Sequence, residues 1–418
     1  MNNTKETILV LGNGFDIALG LPTSYIDFIH FEQVIKELII KEAGLHNAQE
    51  VCKDKKLCQD ITDKIIEYMG DVKTTSFLNG NLFQQREMWK ELLENNYWIM
   101  HFENSNTIGE GWIDFEAEMS TVLERIDRMQ EILAVEEAIS YVHLGDAGLL
   151  ELSDYLESRY PDEDMTINKI VKILLEDLNK LRRALEIYLS VYVEQLPIKT
   201  DSKVINKVVP TKVISFNYTR TYEKTYGQDN KDIEYTYIHG IADGKRAAED
   251  NDMVLGIDDY LKNQERDENL LCIDFKKYYQ RMAFFCSRDA ELWTDTIDAE
   301  DYAEKEARDF VMKDGVQLSF MERNDYLNPE LYMEVYLEQK KSNDSMMPRH
   351  KIVIFGHSLG VSDKYIFRKL ILHDNVEVEI YYHSKKSYRD MLKNLIMVIG
   401  QEELIKRTGD RRIVFLPS

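Results

Sequence analysis

The apolar run Ile8-Leu9-Val10-Leu11 breaks off at Gly12, the pattern of a strand buried on both faces that feeds a glycine turn. Lys212 to Phe216 and His350 to Phe355 repeat this form, and Tyr235 to Ile238 and Val254 to Ile257 are shorter versions of it. Each run gives way to polar or glycine residues, so the pattern predicts strands whose carboxyl ends carry the chemistry. Toward the C-terminus the period alternates. A helix from Ser362 to Leu372 leads to a strand from Val376 to Tyr382, a helix from Ser387 to about Met397 and a short strand from Ile413 to Leu416. Alternation of this kind predicts a parallel sheet with right-handed crossovers.

Between the strands the apolar spacing lengthens to three and four residues. Tyr25 to Lys41 places Phe28, Ile29, Phe31, Val34, Ile35, Leu38 and Ile39 on one helical face, with Asp27 and His30 read as cap or surface residues. Residues 43 to 107 are irregular and polar, leaning toward helix. Gly111-Trp112-Ile113-Asp114-Phe115-Glu116 opens a helix to about Tyr141, with Asp114 as its N-cap and Glu116 and Glu118 favourable in the first turn. Residues 164 to 196 carry Ile167, Ile170, Leu174, Leu178, Leu181, Leu185, Tyr188 and Tyr192 as one stripe, either core or a dimer interface. Residues 260 to 346 are charged, aromatic-rich and mostly helical in pattern. The expected fold is therefore α/β: a Rossmann-like core from residues 1–30, 203–260 and 347–418, with helices on both faces and helical insertions at 31–202 and 261–346.

Charge and cysteine usage narrow the partners. With 75 acidic against 52 basic residues the formal charge is −23, which argues against nucleic acid or an anionic membrane as partner. The basic residues near the end, Lys385, Lys386, Arg389, Lys393, Lys406, Arg407, Arg411 and Arg412, are a solvated face or a steering patch for an anionic small molecule. Cys52, Cys58, Cys272 and Cys286 form no Cys-x-x-Cys pair, so neither a disulfide framework nor structural zinc is expected. The chain enters its first strand with no room for a signal peptide, and no run reaches the roughly 18 apolar residues of a membrane span, which predicts a cytoplasmic protein.

Candidate chemistry gathers at the strand ends. Gly12 and Gly14 can let backbone N–H groups approach a phosphate without Cβ obstruction, although a tight turn with no ligand fits the same residues. Bulky Ile17 stands where the usual dinucleotide fingerprint has Gly or Ala, leaving Gly12-x-Gly14-x-Asp16-x-x-x-Gly20-Leu21-Pro22. Asn217, directly after a buried strand, should project toward the pocket lined by Gly12 and Gly14. His239 is either a satisfied histidine at a strand end or a general base, its ordinary pKa being about 6.5. Trp112 or Glu116 could reach the same pocket from the insertion.

Four motifs together, Gly12-Asn13-Gly14-Phe15-Asp16 with Gly20-Leu21-Pro22-Thr23-Ser24-Tyr25, Phe216-Asn217-Tyr218-Thr219 with Glu223, Ile238-His239-Gly240, and Phe355-Gly356-His357-Ser358-Leu359-Gly360 with Asp363, resemble the abortive-infection AbiH family of phage defence. Their order also resembles sirtuin-like NAD-binding domains, with Asp16 where those generally have Ser and Thr219 where they usually have Asp. That resemblance implies NAD as substrate and no metal, with Asn217 holding the nicotinamide ribose and a water and His239 as general base. It implies a nucleotide wall of Gly12, Asn13, Gly14, Phe15, Asp16, Gly20, Pro22, Tyr218, Thr219, Gly356 and Ser358, with Asp363 capping the next helix or binding ribose. As partners it implies a small-molecule nucleotide, a second copy of the chain and a phage-derived trigger. A sensor that binds a nucleotide without chemistry fits the same motifs.

Two other readings compete. Gly356-x-Ser358-x-Gly360 after a strand has the form of an α/β-hydrolase nucleophile elbow, with Asp374 and His383 following in the right order but inside one strand–helix unit. Arg368 and His373 match a short spacing found in defence ribonucleases, a pattern of little specificity.

Overall fold

A computed structural model describes residues 6–40, 81–104, 112–130, 139, 141–228, 230, 232–257, 270–286, 288–302, 305 and 350–418. Its centre is a six-stranded sheet of β1 (Glu6–Leu11), β2 (Lys212–Ser215), β3 (Glu234–Tyr237), β4 (His350–Phe355), β5 (Val376–Tyr382) and β6 (Ile413–Pro417). The strand order is β3-β2-β1-β4-β5-β6 and every pairing is parallel. β1 lies in the middle, Val10 standing opposite Ile214 on one side and Ile354 on the other. The strand order reverses between β1 and β4, which makes the carboxyl ends of these two strands the topological switch point of the sheet.

Side chains of the central strands alternate between two cores because the strand period is two. Ile8, Val10, Ile352, Ile354, Val378 and Ile380 face one way, and Leu9, Leu11, Val213, Val353 and Phe355 face the other. The buried side chains contribute on the order of 1.5 to 3 kcal/mol each.

The helices follow in chain order as α1 (Asn13–Ala18), α2 (Tyr25–Ile35), α3 (Asn81–Leu93), α4 (Tyr97–Asn104), α5 (Trp112–Gln130), α6 (Tyr141–Asp146), α7 (Leu150–Arg159), α8 (Ile167–Ile187), α9 (Thr221–Thr225), α10 (Lys277–Ala283), α11 (288–302), α12 (Lys364–Ile371), α13 (Lys385–Ile399) and α14 (Gln401–Gly409). Ser24 and Asp27 close a reciprocal capping box at the start of α2. His30, expected at the surface, is buried on that helix. The stripe of α8 packs inward: Leu174, Leu178, Leu181 and Leu185 join Phe28, Phe31, Trp89 and Trp98 in one core. Trp98 Nε1 donates to the Leu174 carbonyl and Tyr97 N–H donates to Asp177, fastening α4 to α8. The stripe is thus interior to the chain, which removes it as an exposed dimer face.

Several local expectations change. Val254 to Ile257 forms no strand; Ile257 makes only an isolated bridge with Lys276, and Asp258 lies outside the described residues. Helix α5 already includes Trp112, so Asp114 sits inside the first turn and cannot be its N-cap. Gly111, Cys52, Cys58 and most of 43–107 and 260–346 lie outside the described residues. Among the described residues no helix is long and apolar enough to cross a membrane.

Candidate functional site

The β1 turn and the β4 turn are locked together across the switch point. Gly12 N–H donates to the Phe355 carbonyl at 3.1 Å and Gly14 N–H to the Gly356 carbonyl at 2.8 Å. A Cβ on Gly12 would stand 2.6 Å from His357 Cα, and one on Gly14 would stand 2.8 Å from the Gly356 oxygen. Gly356 adopts φ +71 and a Cβ there would meet Phe15 N at 2.2 Å. These three glycines therefore serve close approach of two loops. The expected phosphate contact from Gly12 and Gly14 is corrected accordingly, since both N–H groups are already donated to carbonyls.

Beside this joint a cavity of about 390 Å³ opens over the ends of β1, β2, β3 and β4. Asn13, Gly14, Asp16, Ile17 and Thr23 reach it from the β1 side, and Phe216, Asn217, Tyr218 and Thr219 from β2. His239 comes from the end of β3, and Gly356, His357, Ser358, Ser362 and Asp363 from the β4 loop. Asn13 Nδ2 donates to the Thr23 carbonyl while Thr23 Oγ1 donates back to Asn13 Oδ1, tying α1 to the following loop. Gly240, at φ +75, is required after His239 because a Cβ there would collide with the Asp252 carbonyl at 2.1 Å.

One carboxylate organises the far wall. Asp363 Oδ1 lies 3.1 Å from His239 Nε2 and 3.8 Å from Arg281 Nη1, and Oδ2 lies 3.5 Å from His357 Nε2. Burial alone would raise its pKa, but the Lys277 charge and the two imidazoles hold Asp363 well below the usual carboxylate range. Leu359 N–H donates to His357 Nδ1 at 2.9 Å, which leaves the neutral His357 proton on Nε2, facing Asp363. With His239 Nε2 likewise turned to Asp363, Nδ1 is the nitrogen of His239 left to take a proton. Burial pushes His239 down to about 4 against the pull of Asp363, with Lys277 and Arg281 pushing the same way as burial. The ring is neutral at pH 7.

On the near wall Asp16 is fully buried. Its Oδ2 accepts the Thr219 hydroxyl at 2.5 Å, and Thr219 accepts the Thr221 hydroxyl at 2.9 Å. Burial raises Asp16 to about 7 although Thr219, Thr221 and Asn217 all favour its ionised form.

A family profile described as Bacteriophage abortive infection AbiH matches residues 8–383. The chain belongs to the AbiH family. That span includes all four motifs and the cavity built from them, and the family's description places the chain in abortive infection of phage-infected cells. Neither the curated proteins nor the solved structures gave a match.

Within this AbiH fold, Asn217, His239, Asn13, Gly14, Asp16, Tyr218, Thr219, Gly356, Ser358 and Asp363 meet at one cavity. Gly12, Phe15, Gly20 and Pro22 do not line it. Phe15 packs beneath the turn against Tyr222, Tyr226 and Phe355, Gly20 makes a turn at φ +83, and the Pro22 carbonyl accepts the Tyr188 hydroxyl. Asp363 forms no side-chain cap on α12, its carboxylate being engaged by the histidines. Glu116 does reach the cavity from α5, and Lys277 of α10 donates to it.

Sequence reasoning missed Lys277 and Arg281, whose only signal was their i, i+4 spacing in a charged segment. His383, from the end of β5, also lines the cavity.

The competing arrangements do not assemble. In an elbow the serine itself takes the strained turn position, whereas here Leu359 has φ +59 and Ser358 does not. Asp374 and His383 flank opposite ends of β5, and at roughly 3.3 Å per residue that strand separates them by about 20 Å. Arg368 donates to the Val398 carbonyl and His373 contacts the Lys369 carbonyl, so both serve helix packing away from the cavity.

Proposed function

We propose that this AbiH member is an abortive-infection effector that binds NAD in the switch-point cavity and hydrolyses the bond between nicotinamide and ribose. The observation that carries the reading is the placing of Asn217 and His239 on one cavity, with the histidine backed by buried Asp363. A cavity of about 390 Å³ suits a ribose with its base, the remainder of a dinucleotide extending outside it.

The two departures from the sirtuin-like pattern offset each other. Asp16 stands where that pattern has a hydroxyl and Thr219 where it has a carboxylate, and here Thr219 donates to Asp16, so a hydroxyl–carboxylate pair is kept with its positions exchanged.

In the reaction, C1′–N cleavage sends its electron pair to the pyridinium nitrogen, releasing neutral nicotinamide. A water oxygen bonds to C1′ and its proton passes to Nδ1 of His239. The oxocarbenium-like state needs positioning more than push, which the buried walls provide. Asp363, held ionised, stabilises the imidazolium as it forms. An imidazole whose conjugate acid lies at about 4 is unprotonated at pH 7 and only weakly basic.

In infected cells carrying the wild-type chain, NAD measured by mass spectrometry should fall, and it should persist in cells carrying His239→Ala. Unchanged NAD during growth arrest by the wild-type chain would contradict the reading.

A further inference from the structure

Two acceptor atoms in the cavity wall stand without hydrogen-bond partners among the described residues: Oδ1 of Asp16 and Oδ1 of Asn217. Asp16 is fully buried and Asn217 is 5% exposed. Buried polar atoms of this kind are rarely left unsatisfied, and the cost of leaving them so is relieved by a bound donor. The hydroxyl chain from Thr221 through Thr219 ends on Oδ2 of Asp16. Meanwhile the N–H groups of Gly12 and Gly14 are donated to the β4 loop. This end of the cavity therefore presents acceptors where a glycine turn ordinarily presents donors.

We propose that Asp16 is a specificity-determining residue whose free carboxylate oxygen, together with that of Asn217, takes hydroxyl or amide donors from the ribose-and-base half of the ligand. The ligand class is a nucleoside-like group with a free vicinal diol, recognised at this end without a phosphate contact. This deepens the NAD reading and rests on it.

Because a donor favours the ionised carboxylate, binding should release a proton from Asp16 wherever that group is still protonated, and affinity should rise with pH until Asp16 is ionised in the free chain. The charge of Glu194, on the turn after α8, opposes ionisation of Asp16. Across the cavity stand the Lys277–Glu116 pair, Asp363 with its two histidines, and His383. A variant at Asp16 separates its own titration from theirs.

The test is calorimetric titration of the full chain with carba-NAD, in which a cyclopentane replaces the nicotinamide ribose, keeping the diol and preventing cleavage. From pH 5.5 to 8.5 the wild-type association constant should rise about tenfold per unit at the acid end and level off above the Asp16 pKa. Asp16→Asn should bind more weakly with a flat profile. Thr219→Val, which removes a donor to the carboxylate, should keep the shape with its midpoint moved to higher pH. Thermal melts of both variants confirm folding. Binding with a flat wild-type profile, or an Asp16→Asn profile that still rises, overturns the assignment of Asp16 and leaves the NAD reading standing. No binding at any pH overturns both.

Discussion

Nε2 of His239 sits 3.1 Å from Oδ1 of Asp363, where the end of β3 meets the start of α12. The contact spans the switch point, joining the left half of the sheet to the right half. It fixes which ring nitrogen carries the proton and which can accept one.

Replacing Asp363 by Asn keeps the shape but removes the charge that raises His239 and would stabilise its imidazolium. Turnover should fall by about 10²- to 10⁴-fold, the range general-base catalysis supplies, with a much smaller change in KM. Steady-state kinetics on NAD check this; equal loss in KM alone would point to binding.

Lys277 and Arg281 both depress His239. The base must be unprotonated, so the rate rises as pH increases through the His239 pKa, about 4 in the wild type. Lys277→Gln should move that acid limb to higher pH. A pH–rate profile measures the shift, and a limb that stays in place or moves lower would contradict the assigned electrostatics.

Asp16 also bears on stability. Its folded pKa of about 7 exceeds the unfolded value of about 3.9, so the native state holds the extra proton and stability falls as pH rises between the two. The full penalty, on the order of 4 kcal/mol, is present above pH 7. Asp16→Asn should therefore raise Tm at pH 8 and change it little below pH 4. Asp363 has the opposite sign. Its depressed pKa stabilises the fold above the unfolded value of about 3.9, and that contribution is lost as pH falls through the folded value. Thermal melts across pH read both.

Gly12→Ala should cost about 1 to 3 kcal/mol, because the new Cβ must displace the backbone at His357. Chemical denaturation checks it. A fluorophosphonate probe, by contrast, should not label Ser358, which lacks the strained elbow conformation.

The parallel sheet was legible because its central strands are buried on both faces and so read as unbroken apolar runs. Ile8 to Leu11 and Ile352 to Phe355 are the clearest cases. Val254 to Ile257 carries the same apolar signal yet lies buried as a loop, the Gly256 position being pressed against the Phe275 carbonyl. Composition could not distinguish those outcomes. At the site, residues placed by strand ends were visible, since polar side chains after an apolar run have few other places to go. Lys277 was not, although Glu116 was expected there from its insertion. They reach the cavity from two separate insertions, and their pairing depends on tertiary packing that no local spacing encodes. The glycine turn shows a different limit: one residue type serves close backbone approach to a phosphate or to another loop, and only the neighbouring β4 turn tells them apart.

The most direct test of the central claim is chromatographic measurement of products after mixing the purified full chain, from phage-infected and uninfected cells, with NAD. The account predicts nicotinamide and ADP-ribose in equal amounts, both abolished by His239→Ala and by Asn217→Ala. Intact NAD with wild-type protein from infected cells, or product formation that survives both substitutions, would contradict it.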